Sequence, residues 1–230
     1  MVNIMNNINY LIDYLAKERN IELREYKSFA ERLIVYRALV NEREAKPISE
    51  EYLIKEDEFL QAFLKKNKIT DSKDLETSKI DNNKIAIFKG SITRLKIEAI
   101  VNATNSKGTG CYIPNHNCVD NQITTYAGVR LRLEDQEKMN EIKKLNIGFN
   151  FITKGYNLPC DYIIHTVGPI IKNEVHEYQK KELEMCYLNA LKTAKENGIR
   201  SIAFPCISTG EYNFLKVLLL RLLLIVLESI

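Results

Sequence analysis

Apolar side chains recur at helical spacing through the first 78 residues, and no glycine occurs before Gly90. The apolar positions that set this spacing are Leu11, Ile12, Leu15, Leu33, Ala38, Leu39, Leu53, Phe59, Leu60 and Phe63. Ser49 stands in the position of an N-cap residue, ahead of Glu50 and Glu51, and acids are favoured in the first turn of a helix. The pattern predicts a helical N-terminal extension over residues 1–78.

The pattern changes after a polar stretch at residues 69–83, which has no apolar period and predicts a linker. From there on, short β-branched runs alternate with helical patterns. The runs expected to form strands are 84–88, 99–102, 162–167 and 201–206, and the expected helices are 121–134 and 182–197. This order predicts a second domain over residues 79–230, of the α/β class, with three α/β/α layers and ligand loops at the carboxyl ends of the strands.

Composition and charge narrow the classes of function. The chain of 230 residues has 33 Lys and Arg against 30 Asp and Glu, a formal net charge of +3. This charge is too small to argue for a basic face that binds nucleic acid. The five cysteines form no dense disulfide array, and Asp13 interrupts the apolar run that a signal peptide would need. We therefore expect a cytoplasmic protein whose cysteines are metal ligands or core residues.

The stretch from Val217 onward is apolar on every face except for Arg221. A membrane-spanning helix needs about 20 apolar residues, whereas a shorter run is typical of a buried helix. An amphipathic surface helix would show a polar face, and this stretch shows none. We therefore expect no membrane partner.

Two thiols and one imidazole lie close together in a loop that follows a predicted strand. They belong to Cys111, His116 and Cys118. Thiolate and imidazole ligands favour zinc over calcium or magnesium, and a set of three leaves the open position that catalytic zinc sites keep. On spacing alone, ordinary core cysteines remain an alternative. The other histidines, His165 and His176, are weaker candidates, and His165 lies within an apolar predicted strand, which favours a core residue.

Two loops rich in hydroxyl, amide and glycine residues also follow predicted strands, at 102–110 (NATNSKGTG) and at 208–212 (STGEY). Short amides can hydrogen-bond to sugar hydroxyls, and glycines let backbone N–H groups approach a phosphate. Each loop alone is better explained as an ordinary turn. Together with the Cys/His cluster, the two loops predict a nucleotide-like ligand beside a zinc ion.

The chain contains the segments KGSIT to AIVNATN at 89–105, GCYIPNHNCVDN at 110–121, GYNLPCDYIIHTVGP at 155–169 and FPCISTGEYNF at 204–214. These segments resemble the zinc-containing macrodomains, the bacterial class of protein-ADP-ribose hydrolases. The Cys-x4-His-x-Cys insertion is specific to this branch of the family. The resemblance covers about residues 80–215, and residues 10–75 are similar to the helical extension of the class.

The resemblance implies a macrodomain fold with a mixed central sheet that binds ADP-ribose. The implied ligand-binding residues are Ser91 and Ile92 for adenosine, Ser208, Thr209, Gly210, Glu211 and Tyr212 for the diphosphate, and Asn105, Cys118, Val119 and Asp120 for the distal ribose. Zinc would be held by Cys111, His116 and Cys118. Asn105 and Asp120 are the implied catalytic residues. Asp120 would orient the attacking water or accept its proton, and a role in orienting the metal ligands is the alternative.

The implied activity is removal of mono-ADP-ribose from acidic side chains of modified proteins, with Zn2+ as the cofactor. Zinc can act as a Lewis acid on the distal ribose or the ester carbonyl, and it lowers the pKa of bound water toward ~7. The expected partner is ADP-ribose or an ADP-ribosylated protein. Two alternatives remain, a module that binds ADP-ribose without turnover and a deacetylase of O-acetyl-ADP-ribose.

Three positions depart from the family pattern. Ser91 replaces an aspartate that accepts a hydrogen bond from the adenine amino group, which would cost roughly 1–3 kcal/mol of binding. Thr124 stands where many members have histidine. From about residue 215, the apolar run replaces the helix, strand and closing helix of the family. We therefore hypothesise a damaged copy, truncated or altered at its carboxyl end, in which the last strand and helix are missing.

Overall fold

The computed structural model describes residues 4–80, 83–172, 174–210 and 212. The helices are α1 (Ile4–Glu18), α2 (Phe29–Glu42), α3 (Glu50–Lys66), α4 (Val119–Ala127), α5 (Val129–Ile142) and α6 (Glu177–Glu196). The strands are β1 (Thr70–Asp71), β2 (Ser78–Ile80), β3 (Asn83–Ile85), β4 (Leu95–Ala103), β5 (Asn150–Lys154), β6 (Cys160–Thr166) and β7 (Ile202–Ala203). The N-terminal region is therefore helical, as its apolar spacing predicts.

Helices α1, α2 and α3 pack around one apolar core, which also includes Val129 at the start of α5. Ser28 and Ser49 cap α2 and α3, because each side chain accepts a hydrogen bond from the backbone N–H three residues further on. Tyr36 of α2 and Phe59 of α3 are fully buried, and their rings meet edge to face with centroids 5.2 Å apart. Aromatic pairs in this geometry stabilise a core beyond the area that they bury.

β4 is the central strand of the main sheet. The order is β1-β4-β6-β5, and β7 also pairs with β4. The pairs of β4 with β1, β6 and β7 are parallel, whereas β5 runs antiparallel to β6. A separate antiparallel hairpin joins β2 to β3. The mixed sheet that the resemblance implied is therefore confirmed.

Helices cover both faces of this sheet. Ile100 of β4 packs in one apolar cluster with Ile123 of α4 and Leu131 of α5. The next residue, Val101, faces the opposite side and packs with Leu183 of α6. Burial on both faces explains why the central strands have nearly continuous apolar sequences. The three-layer α/β/α prediction is confirmed. The chain leaves the carboxyl end of β4, the central strand, into the loop that follows.

Several elements differ from the sequence prediction. The expected helix at 121–134 is two helices, because Gly128 adopts φ 95° between α4 and α5. The expected linker at 69–83 contributes β1, which pairs with the start of β4. Strand β5 was not predicted, since one of its buried positions is the polar Thr153 rather than an apolar residue.

The expected strand at 84–88 is shorter in the structure, where β3 ends at Ile85. The hypothesis of a carboxyl-terminal alteration concerns residues beyond 212, which lie outside the described residues. Among the helices of the described part of the chain, none combines the length and the apolar character needed to cross a membrane.

Glu56 of α3 joins the helical unit to the sheet domain. Its Oε1 accepts hydrogen bonds from the hydroxyls of Tyr36 at 2.8 Å and Tyr52 at 3.2 Å, and its Oε2 accepts from the N–H of Val129 at 2.8 Å. A Cβ atom on Gly128 would lie 2.7 Å from Oε2, and φ is positive there, so glycine is required. The carboxylate satisfies one of the open donors at the start of α5.

Substitution of Glu56 is expected to change how stability depends on pH. Burial raises the pKa of this carboxyl from 4.5 to about 7. The folded protein therefore holds the proton more tightly than the unfolded chain. The protonated carboxyl makes its full contribution to the free energy of unfolding below about pH 4.5, and this contribution is lost as the pH rises through about 7. Glu56→Gln removes this loss, so its unfolding free energy relative to the parent should rise by roughly 3 kcal/mol between pH 4.5 and pH 8.

Denaturant unfolding of both proteins across this pH range measures the difference. The glutamine also changes the hydrogen bond to Val129, which adds an offset that is the same at every pH. A difference that stays constant with pH would contradict the prediction.

Candidate functional site

The carboxyl end of β4 positions both residues that the resemblance marks as catalytic. Asn102 is buried, and its Nδ2 donates to Oδ1 of Asp120 at 2.7 Å. The hydroxyl of Thr104 donates to Oδ2 of the same carboxylate at 3.2 Å. Asn105 shapes the loop that follows, because its Nδ2 donates to the carbonyl of Gly110 at 3.2 Å.

Residues 109–118, here called the ligand loop, bring Cys111, His116 and Cys118 together. The three ligand atoms all lie within 4.8 Å of one another, and Sγ of Cys111 is 3.6 Å from Nδ1 of His116. Zinc bonds of about 2.3 Å to sulfur and about 2.0 Å to nitrogen, at tetrahedral angles, separate the two atoms by about 3.5 Å. The donor set and its spacing therefore fit a tetrahedral zinc ion with one open position.

Cys118 is also the N-cap of α4, where its Sγ accepts a hydrogen bond from the N–H of Asn121 at 3.3 Å. Burial raises the pKa of this thiol to about 12, and the adjacent Cys111 opposes ionisation because two thiolates repel each other. A divalent cation between the two sulfurs reverses this balance, since coordinated thiols lose their protons. The cluster is therefore better suited to hold a cation than to carry free thiolates.

Asp120 lies in the first turn of α4, two residues after Cys118, and is almost fully buried. Burial raises the pKa of its carboxyl to about 6, against the opposing effect of the hydrogen bonds from Asn102 and Thr104. The carboxylate is therefore mostly ionised at neutral pH. Its pKa lies close enough to neutral pH for the group to take up and release a proton. This is the range expected of a general base.

His165 lies in the sheet beneath this carboxylate and is a core residue, as its apolar strand predicts. Its Nε2 is 2.8 Å from Oγ1 of Thr153, its Nδ1 is 3.2 Å from Nδ2 of Asn102, and its ring stacks on Phe151. Burial lowers the pKa of His165 to about 3, so the ring is neutral. His176 is instead the N-cap of α6.

The loop after β7 approaches the same site. Ser208 is buried with φ 62°, and the carbonyl of Tyr212 accepts a hydrogen bond from the N–H of Ile171 at 2.9 Å. Burial raises the pKa of Tyr212, and the charges of Asp120 and Cys118 add to this effect. Tyr212 of the expected diphosphate loop therefore lies close enough to Asp120 and Cys118 for their charges to affect its hydroxyl.

The other residues expected to bind ADP-ribose are Thr209, Gly210, Val119, Ser91, Ile92 and Glu211. Of these, Glu211 lies outside the described residues. Thr209 donates its hydroxyl to the carbonyl of Cys206, and Gly210 is exposed. Val119 is the first residue of α4, and both Val119 and Ile92 pack against the apolar cluster of β4, α4 and α5. The hydroxyl of Ser91 is 2.8 Å from that of Thr93, in the turn before β4, whereas Asn105 follows β4. The ligand-binding roles of all these residues stay predictions.

Arg132 of α5 is a buried residue of the site that sequence reasoning missed. Its side chain is almost completely enclosed, and its Nε and Nη2 donate to the carbonyls of Thr109 and Cys111 at 3.0 and 3.3 Å. The ring of Tyr112 covers the guanidinium, with its centroid 4.2 Å from Cζ. No sequence signal separates this arginine from the exposed charges around it, because α5 is rich in charged residues.

Thr124, where many members of the resembled family have histidine, lies under the ligand loop. A Cβ atom on Gly110 would stand 2.6 Å from Oγ1 of Thr124, and Gly110 has φ 86°. The hydroxyl of Thr124 donates to the carbonyl of Asp120 at 2.8 Å. The loop can pass this close to α4 only because residue 110 is glycine.

The chain belongs to the Macro domain family, whose profile matches residues 101–218. A protein named Protein-ADP-ribose hydrolase from Staphylococcus aureus strain MRSA252 is 44% identical over 211 residues, which are 90% of this chain and 78% of that protein. A relative of the same name from Treponema medium is 39% identical over 211 residues, which are 89% of this chain and 80% of that protein.

Two solved structures share the fold. An Oceanobacillus iheyensis macrodomain with ADP has a TM-score of 0.61 at 35% identity, covering 67% of this chain and 80% of that one. A Trypanosoma brucei macrodomain in complex with ADP-ribose has a TM-score of 0.62 at 25% identity, covering 90% of this chain and 84% of that one. Both likenesses support the macrodomain fold.

Replacement of Asn102 is expected to raise the pKa of Asp120. Asn102→Leu removes the donor to the carboxylate while its similar volume keeps water out. Since a hydrogen bond to the ionised form favours that form, its loss should raise the pKa from about 6 by roughly one unit or more. An NMR titration of carboxyl-labelled, chelator-treated protein measures the shift, with Asp120→Asn to assign the signal.

Thr153→Val is the matched control, because it removes a buried hydrogen bond of His165 without touching Asp120. An unchanged titration midpoint in Asn102→Leu would refute the assignment of this hydrogen bond.

Proposed function

We propose that this chain is a zinc-dependent hydrolase that removes mono-ADP-ribose from acidic side chains of modified proteins. The observation that carries the proposal is the cluster of Cys111, His116 and Cys118 placed directly before the buried Asp120. The names of the bacterial relatives and the ADP and ADP-ribose bound to the solved macrodomains support the reaction and the ligand.

The half-buried ligand loop fits zinc through two thiolates and one imidazole, and the fourth position would be open to water or substrate. When bound, zinc supplies Lewis-acid polarisation of an oxygen of the distal ribose or of the ester linkage. His116 would contribute Nδ1, the atom that lies 3.6 Å from Sγ of Cys111.

The chain's own residues prepare the other half of the reaction. Asp120 would accept the proton of the attacking water at a carboxylate oxygen, because its pKa of about 6 leaves it ionised at neutral pH. Asn102 and Thr104 fix the orientation of that carboxylate through one hydrogen bond to each oxygen. Asn105 would bind a hydroxyl of the distal ribose after its amide leaves the carbonyl of Gly110.

The loop of Ser208, Thr209, Gly210, Glu211 and Tyr212 would bind the diphosphate. Oγ of Ser208 is buried and has no hydrogen-bond partner among the described residues, which leaves it able to donate to a phosphate oxygen. An unsatisfied buried hydroxyl costs free energy in the absence of a ligand. Ser91 and Ile92 would contact the adenosine end.

Loss of the metal is expected to abolish turnover while leaving the fold intact. His116→Ala removes one of three zinc ligands and should slow release of ADP-ribose from an acid-linked substrate protein by about 100-fold or more, because even partners that only orient ligands are worth about 10–100-fold. Chelator treatment of the unmodified protein should have the same effect, and added zinc should reverse it. A single-turnover assay with radiolabelled substrate measures the rates.

The matched control is His176→Asn, which removes an exposed histidine but keeps an N-cap acceptor on α6. If protein with and without zinc releases ADP-ribose equally slowly while binding it equally well, the chain is an ADP-ribose-binding module without turnover. Release of acetate but not of protein-linked ADP-ribose would instead identify a deacetylase of O-acetyl-ADP-ribose.

The serine at position 91 is expected to weaken adenine binding. Ser91→Asp restores a charged acceptor for the adenine amino group, and a charged hydrogen bond is worth about 1.5–3 kcal/mol, so the Kd for ADP-ribose should fall by about 10-fold or more. Isothermal calorimetry measures the change. Asparagine has the same shape as aspartate but no charge, so Ser91→Asn should increase the affinity for ADP-ribose by less. An unchanged Kd in Ser91→Asp would show that residue 91 does not contact adenine.

A further inference from the structure

Helix α2 of the N-terminal unit contacts the ligand loop through a buried amide. Asn41 is fully buried near the end of α2, and its Nδ2 donates to Oγ1 of Thr125 at 2.8 Å. Its Oδ1 accepts from the N–H of Asn115 at 3.0 Å. Asn115 has φ 55°, a left-handed conformation, and directly precedes His116. This hydrogen bond therefore fixes an unusual turn of the backbone one residue before the imidazole ligand.

Arg37, one turn earlier on α2, contacts the same loop through Asn121. Its Nη2 donates to Oδ1 of Asn121 at 3.1 Å and more weakly to the carbonyl of His116 at 3.5 Å. Asn121 then donates from Nδ2 to the carbonyl of Ile113 at 2.9 Å and from its backbone to Sγ of Cys118 at 3.3 Å. Arg37 thus orients a residue that touches both the loop and one of its sulfur ligands.

Arg132 connects the same two parts of the molecule. Its Nη1 donates to the carbonyls of Val40, Asn41 and Arg43 at 2.9, 2.8 and 2.6 Å, at the carboxyl end of α2. The other nitrogens of its guanidinium hold the ligand loop at residues 109 and 111. The end of α2 and the start of the loop are therefore hydrogen-bonded to a single planar group.

We propose that Arg37 and Asn41 are positioning residues of the metal centre, which hold the ligand loop in its zinc-binding geometry before the metal arrives. The inference rests on the proposed zinc site. A loop that is already ordered loses less conformational entropy when it binds, and partners that orient metal ligands are worth about 10–100-fold in affinity. The helical extension is then part of the metal site although it supplies no ligand.

Asn41→Ala in the full chain tests the proposal. The N–H of Asn115 loses its acceptor, so zinc affinity, measured by competition with a chromophoric chelator, should fall by about 10-fold or more. With Co2+ in place of zinc, the visible absorption bands should shift or lose intensity, because they report the ligand geometry directly. Arg37→Met, at a half-buried position, is a second variant with the same expected direction, and it keeps the test valid if Asn41→Ala does not fold.

Tyr36→Phe is the matched control on the same helix. It removes a buried hydrogen bond to Glu56 and should lower stability, but it does not touch the ligand loop. Its zinc affinity and cobalt spectrum should equal those of the parent. Parent-like zinc affinity and cobalt spectra in both Asn41→Ala and Arg37→Met would overturn the positioning role. Absence of zinc binding in the folded parent would instead overturn the proposed function itself.

Discussion

The buried guanidinium of Arg132 is the interaction on which the rest of the site depends. It is 3% exposed and donates hydrogen bonds to five backbone carbonyls, two in the ligand loop and three at the carboxyl end of α2. A cation without water needs such compensation, and the negative end of a helix dipole supplies part of it. Because these carbonyls belong to two separate stretches of backbone, the charge can be satisfied only when the helical unit, the loop and α5 are assembled together. Removal of such partners from a buried charge typically costs about 3–5 kcal/mol.

Two buried acids near this charge differ in how far their pKa values are shifted. Burial raises the pKa of Asp120 to about 6 and that of Asp135 well above its usual range, and Arg132 opposes both shifts. Asp120 also accepts two side-chain hydrogen bonds. Oδ1 of Asp135 has no hydrogen-bond partner among the described residues, although it lies 3.5 Å from Nε2 of His165, and the charge of Asp120 raises the pKa of Asp135 further. Burial therefore favours the neutral form of Asp135, whereas the hydrogen bonds from Asn102 and Thr104 favour the charged form of Asp120.

The sequence predicted those parts of the molecule whose signals are local. β4 and β6 are buried on both faces and have mostly apolar sequences, and the three residues expected to bind zinc fall within one short loop. The split at Gly128 was missed because a single glycine is tolerated in many helices, and the reason that it is required here is Glu56, which lies far away in the chain. Arg37, Asn41 and Arg132 were missed for the same reason, since their partners lie many residues away and no periodic pattern marks them.

The difference between local signals and distant partners also applies to the proposed metal site. The ligands, Asp120 and the ligand loop lie inside the stretch that the Macro domain profile matches, whereas Arg37 and Asn41 precede it. The donor set of a short Cys/His loop would favour a particular metal, whereas the conformation of the loop depends also on hydrogen bonds from α2 and from Arg132 of α5. Asn115 adopts a left-handed backbone conformation directly before His116, which asparagine tolerates better than most residues. The hydrogen bond from its N–H to Oδ1 of Asn41 holds this turn, and that bond forms only when the helical extension is folded against the sheet domain.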